Sequence, residues 1–296
     1  MEGEGRRRTK FKGDALSLLV ERALLRVGKI DFLNTLPFFY SWDDQNPEAS
    51  VRFVKGSPQD INRKMKEGEI DVGLASSLAY ALNPKEFLIL PGFCIGAYQK
   101  SRSVTLYSSK PIESLNGKKI YLSSKSLSAA SLLKVLLKFR WGFHNEFEDA
   151  SHTPMEMLAR YSAFLLIGDE ALFFRPGGMF VYDLSEMWWE WTGYPFCFAL
   201  WTVRRSIFEK LPSQVTALSE VLGENLNRNL NRLHTLADKI GIESSKKDIV
   251  VEYLQSLEYR LTDQVQKGLS LFYEYAHKMG IISQIVPMSF CQLMED

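Results

Sequence analysis

The sequence contains no stretch of the roughly 18 consecutive apolar residues that a helix needs to cross a bilayer. Its most apolar N-terminal segment, ALSLLVERALL, is interrupted by Glu21 and Arg22 and has no small-residue cleavage site after it. That pattern describes a short amphipathic helix, neither an anchor nor a leader, and the expected location is the cytoplasm. Cysteine is scarce. Cys94, Cys197 and Cys291 are far apart and odd in number, and two of them lie in apolar, strand-like text (GFCIGAY and PFCFALW). Buried thiols in a reducing compartment are therefore expected, not disulfides. The histidines, His144, His152, His234 and His277, show no ligand spacing with one another or with cysteine, so no metal site is expected. Net charge is nearly absent, +1 with a pI of about 7.7, and supplies no field toward nucleic acid or an anionic membrane. The sequence also lacks a Gly-rich phosphate loop, a G-x-S-x-G elbow and an H-E-x-x-H helix. A nucleotide cradle, an activated serine and a zinc-bound water are thus all without a signature, and no cofactor is expected.

Apolar material is plentiful. Across 296 residues, 46% are hydrophobic and 12% aromatic, enough for more than one core. LLRVGKIDFL reads as a buried strand over about Leu25 to Phe32, and VRFVKG as a second. In SPQDINRKMKEGEIDVGLASSLAYAL, Ser57 is a helix N-cap, Pro58 takes the first helical position and Asp60 completes a capping box. Gly68 ends that helix, Ile70 to Leu74 form a strand, and Ser76-Ser77 open another helix. This β-α-β-α order predicts a parallel sheet with right-handed crossovers. Further strand and helix text follows from SVTLYSS to PFCFALWTV, including a helix over KSLSAASLLKVLLKF with its apolar stripe at Leu132, Leu133, Leu136 and Leu137. From Ser206 onward the chain reads as helical.

The expected architecture is α/β with two lobes and a ligand cleft between them. Residues 1–25, with the basic run Arg6 to Arg8, Lys10 and Lys12, form an N-terminal extension. Residues 26–107 and 200–296 form a discontinuous first lobe, and 108–199 an inserted second lobe. In open α/β sheets ligands bind beyond the carboxyl ends of the strands. Four polar clusters fall there: Asn34-Thr35, Ser76-Ser77, Ser124 to Ser128, and Gly168-Asp169. Helix starts of this kind hold carboxylates or phosphates without basic side chains. Each is also explained by ordinary capping, so the functional signal lies in their convergence on one cleft. Glu170 fits a first-turn acid that complements the helix dipole. The tryptophans Trp188, Trp189, Trp191 and Trp201 fit core packing, Lys100 and Arg102 fit the surface as well as they fit a site, and Arg175 fits an exposed loop better than a carboxylate clamp.

Several strings go further. RVGKIDFLNTLPFFY resembles the opening of the chorismate dehydratase family, the first enzymes of the futalosine route to menaquinone. GEIDVGLASSLAYA, IGDEAL and YDLSEMWWEWTGYPFCFALW resemble further blocks of that family, in its order. The likeness runs from about Arg26 to the C-terminal helices. It implies a periplasmic-binding-protein-like type II fold and a hydro-lyase that converts chorismate to 3-[(1-carboxyvinyl)oxy]benzoate. It implies catalytic roles for Asn34 and Ser103, and substrate-binding roles for Thr35, Ser76, Ser77, Ser126, Ser128, Gly168 and Asp169. The small-molecule substrate would be the only partner, without nucleic acid or membrane. The family's Ser-x-Thr-Ser run is here Ser126-Leu127-Ser128-Ala129, and AYQKS at Ala97 to Ser101 replaces its smaller residues. A cytosolic binder of small carboxylates on the same fold is the alternative reading.

Overall fold

The computed structural model describes residues 24–40, 42, 51–123 and 127–294. The expected N-terminal extension, apart from its last two residues, and Ser126 lie outside them. Among the described residues, eleven strands form two mixed sheets. The first is ordered β11-β4-β10-β3-β1-β2 and the second β7-β6-β8-β5-β9. In the first, β1 (Leu25–Ile30) is flanked by β2 (Val51–Gly56) and β3 (Val72–Ser76), both parallel to it. The long strands β4 (Phe87–Ala97) and β10 (Phe196–Arg204) run antiparallel to each other, and β10 also pairs antiparallel with β3. In the second sheet β6 (Lys119–Ser123) is parallel to β7 (Glu146–Ala150) and β8 (Ala163–Ile167). There β5 (Val104–Ser108) pairs antiparallel with β8 and β9 (Phe180–Asp183).

Sheet membership moves the expected lobe limits. Residue 107 falls inside β5, whose register partners are Ala163 to Ile167 of the second sheet. Residue 199 falls inside β10, which is bonded on both edges within the first. A strand follows its hydrogen-bond partners, so the chain crosses at Tyr98–Ser103 and returns at Gly193–Pro195, each a few residues before the expected boundary. The C-terminal region is not all helical either. The short strand β11 (Glu258–Arg260) extends the first sheet beside β4.

Local chemistry sets the helices that matter. Helix α1 (Pro58–Glu67) begins with the expected capping box: Ser57 Oγ accepts from Asp60 N–H, and Asp60 accepts from Ser57 N–H. It ends at Gly68, whose φ of 78° is the left-handed conformation that glycine adopts at least cost. Helices α2 (Ser77–Leu82) and α3 (Ser128–Val135) follow β3 and β6. The expected stripe runs through α3 into the π-helical turn Leu136–Arg140 and is internal, with Leu132, Leu133, Leu136 and Leu137 no more than 1% exposed. Helix α4 (Gly168–Phe173) follows β8, and α5 (Leu184–Thr192) places Trp188 against Phe196. The C-terminal helices α6 (Pro212–Leu230), α7 (Leu233–Lys239), α8 (Lys247–Ser256) and α9 (Asp263–Lys278) cover the first sheet and the junction between lobes. All three cysteines are buried free thiols. Among the described residues no helix is long and apolar enough to cross a membrane.

Candidate active site

The NTLPFF stretch turns a buried strand into a helix within a few residues. Phe38 and Phe39 drive the short helix Leu36–Phe39 into the core, where Phe38 meets the Trp201, Phe93 and Tyr259 rings edge-on. The carbonyls left open at such a short helix's end would be costly to bury unpaired. Side chains of α6 satisfy them: Asn229 Nδ2 donates to Pro37 O and Tyr40 O, and Asn225 Nδ2 to Phe38 O. Thr35 has the same kind of duty. Its hydroxyl lies 2.7 Å from Ile30 O and 2.9 Å from Phe32 O, fixing the 3₁₀ turn Leu33–Thr35 from within. With both flanks anchored, Asn34 is presented at the wall of a cavity between the sheets.

That cavity encloses about 700 Å³ of empty space, its open mouth included. Every one of the four polar clusters reaches it: Asn34 and Thr35 after β1, Ser76 after β3, Ser128 after β6 and Gly168 after β8, with Ser103 at the start of β5. Apolar walls from Ile30, Phe32, Ile167 and Phe198 complete it. Among the described lining residues none is ionisable.

Ordinary capping does not account for these clusters. Side-chain caps are present at Ser57, Thr153, Asp183 and Thr262, all at other helices. At the helix starts that face the cavity, the N-cap positions Phe32, Ser76, Leu127 and Ile167 make no side-chain cap. Two of those starts are instead capped from the opposite lobe. Ser128 Oγ accepts from Leu78 N–H of α2 at 3.2 Å and lies 2.6 Å from Ser76 Oγ and 3.0 Å from Ser77 Oγ. The Asp169 carboxylate of α4 accepts from Leu33 N–H at 3.2 Å. Burial pushes the Asp169 carboxyl up to about 6, the Leu33 hydrogen bond opposes this, and neighbouring Glu170 adds to it.

Two of the expected binding residues therefore stand behind the cavity wall. Ser77 is fully buried, donates to Cys197 O and has its own carbonyl engaged by Tyr273 Oη. Asp169 holds the Asn34 turn and does not line the cavity. Gly168 lines it and is constrained on both sides. Its φ is +65°, its N–H donates to Ser103 O at 2.7 Å, and a Cβ there would sit 2.9 Å from the Phe32 ring. The basic candidates are occupied elsewhere: in the crossing segment Lys100 pairs with Glu186 and Arg102 with Glu252, and after α4 Arg175 donates to the carbonyls of Ala171 and Phe174.

The sequence reading passed over two residues. Asn62 lines the cavity from α1, and its Oδ1 accepts from Ser76 N–H at 3.0 Å. The signal was present, since Pro58 and Asn62 are four residues apart on one face of a helix that follows a parallel strand. Tyr253 of α8 has its hydroxyl beside the side chains of Asn34 and Ser103 and does not line the cavity. In VVEYLQ it looks like any core aromatic, and no sequence pattern marks it.

This strand order, with two crossing segments and a cleft lined by strand ends from both sheets, defines a two-lobed protein of the periplasmic-binding-protein-like class. A solved structure of a protein from Archaeoglobus fulgidus matches with a TM-score of 0.65 at 20% identity, covering 87% of this chain and 98% of that one. The alkanesulfonate-binding protein SsuA from Xanthomonas axonopodis pv. citri, bound to MOPS, matches at 0.58 and 15% identity, covering 90% and 96%. Within that class the chain belongs to the menaquinone biosynthesis family, whose model matches residues 25–278. It is 29% identical over 244 residues to the chorismate dehydratase of Thermus thermophilus, covering 75% of this chain and 86% of that protein.

Proposed function

We propose that this chain is a chorismate dehydratase, a hydro-lyase that converts chorismate to 3-[(1-carboxyvinyl)oxy]benzoate and water in menaquinone biosynthesis. The observation that carries the reading is the character of the cavity: amide and hydroxyl groups from both lobes, apolar walls, and no ionisable side chain among the described lining residues. A site of that kind positions a substrate and stabilises a departing oxygen, but offers no obvious protein base. Dehydration of chorismate suits it. A proton leaves the ring carbon that bears the ether, hydroxide leaves the adjacent ring carbon, and the new double bond makes the ring aromatic. In this reading the Asn34 amide holds the departing hydroxyl, Ser103 faces it from the second lobe, and a carboxylate of the substrate itself takes the proton. The Asn62 amide, oriented by Ser76 N–H, together with Ser76 and Ser128 grips a substrate carboxylate. Thr35 and Asp169 keep the Asn34 turn in place.

The test is incubation of the purified protein with chorismate, without added metal or cofactor, following loss of one water by mass spectrometry. Wild type should form the product, and Asn34→Ala should lower the rate by about 10²–10³-fold, as expected for loss of one preorganised donor to a developing oxyanion. Chorismate bound but not turned over by wild type would leave a carboxylate-binding protein instead. Full turnover by the Asn34 variant would move the chemistry elsewhere in the cavity.

A further inference from the structure

Two buried polar atoms behind the cavity have no hydrogen-bond partner: Asn34 Oδ1, an acceptor, and Tyr253 Oη, a donor. An orphan of either kind bears its full desolvation cost, and such groups are rare in native proteins. These two complement each other and are neighbours. Asn34 and Ser103 are polar side chains beside the Tyr253 hydroxyl, and the Asp169 and Asp183 carboxylates also act on it. Helix α8 packs Tyr253 among Leu33 and Leu36 of the Asn34 turn and Leu172 of α4, so the ring is wedged where the lobes meet. Phenylalanine would fill that apolar site equally well and without a buried hydroxyl to satisfy. Burial also pushes the Tyr253 hydroxyl well above its usual range, so it remains protonated at any working pH.

We infer that Tyr253 is a positioning residue: its hydroxyl donates to Asn34 Oδ1 and thereby turns the Asn34 NH₂ toward the reacting hydroxyl in the cavity. The inference orients the Asn34 carboxamide with its oxygen toward that hydroxyl, since carboxamide orientation is assigned by such networks. Ser103 meets the same hydroxyl from the second lobe, so the pair of residues acting on the substrate is aligned by one group behind them. Tyr253 does not line the cavity and acts only through these partners. The inference rests on the proposed role of Asn34, and its test separates the two.

In the full-length protein, the Asn34 side-chain NH₂ resonances are assigned by their loss in Asn34→Asp and followed in Tyr253→Phe. Tyr259→Phe is the control, because it removes another buried, unpartnered hydroxyl that does not have Asn34 beside it. The expected result is a shifted, faster-exchanging Asn34 NH₂ pair in Tyr253→Phe and an unchanged one in Tyr259→Phe. An unmoved pair in Tyr253→Phe overturns the inference whether or not the protein acts on chorismate. With an active wild type, Tyr253→Phe should lower kcat about tenfold or more while KM stays within a few-fold. The double variant Asn34→Ala/Tyr253→Phe should then be no slower than Asn34→Ala alone. An unchanged kcat, or losses that simply multiply, would equally overturn it. A wild type inactive on chorismate removes the proposed function, and the resonance experiment still decides the role of Tyr253.

Discussion

At the scale of single residues the cavity presents a few amides and hydroxyls, with no ionisable side chain among its described lining residues. The Asp169 carboxylate holds the turn beside that arrangement through Leu33 N–H, and its environment makes a pH-dependent prediction. Its carboxyl is raised to about 6 in the folded protein, against about 3.9 in an unfolded chain. The folded state therefore binds the proton more tightly, and stability from this group is fullest below about pH 4 and is lost as pH rises through 6. The effect is worth no more than about 3 kcal/mol, and less because the carboxyl is partly open to solvent. Asp169→Asn should flatten that slope, so its melting temperature relative to wild type should climb between pH 4 and 7. Parallel melting curves across the range would mean that Asp169 titrates normally. Asn34 and Ser103 themselves were legible from family-like strings. Thr35 was legible as a polar residue at the turn, but its hydroxyl is spent on the backbone, which only the path of the chain reveals.

At the scale of elements, the strand-to-helix turns line the cavity. Their N-termini are left open to the cavity or are capped by the other lobe through Ser128 and Asp169. Gly168 shows how tight this is, since the left-handed backbone and the approach of Phe32 both require a missing Cβ. Gly168→Ala should cost about 1–2 kcal/mol from backbone conformation alone, and the added methyl should also press on Phe32 and hold the lobes apart. We expect kcat/KM for chorismate to fall more than stability does, with part of it recovered in Gly168→Ala/Phe32→Leu. An alanine variant of normal activity would show that the lobes need not approach this closely. The position of these turns could be read in advance, because parallel strands followed by Ser, Thr, Asn or Gly have a recognisable pattern. Their trans-lobe caps could not, because the partners are 50 and 136 residues apart in sequence.

At the scale of the whole molecule, the cavity lies between two sheets: β5 belongs to the second and β10 to the first, so the chain crosses a few residues before each expected boundary, and Tyr253 of α8 packs with the Asn34 turn behind it. A ligand that touches both lobes should stabilise both together, by about 2.7 kcal/mol at a hundredfold excess over Kd. Hydrogen exchange with chorismate present should slow at the Asn34, Ser76, Ser128 and Gly168 turns at once. Protection confined to one lobe would mean that the ligand does not bridge the cleft. The sequence alone determined the two-lobed α/β class and the placing of Asn34, Ser76, Ser128 and Gly168 at strand ends that line one cavity. Both follow from local periodicity, capping chemistry and short strings, which are written in neighbouring residues. Tertiary structure decided where the chain crosses between sheets, which hydroxyls face the cavity and which are consumed in joining the lobes. It also decided that Tyr253 stands behind Asn34. Those depend on contacts between residues far apart in the chain, where burial and hydrogen-bond partners are set by packing and not by local sequence.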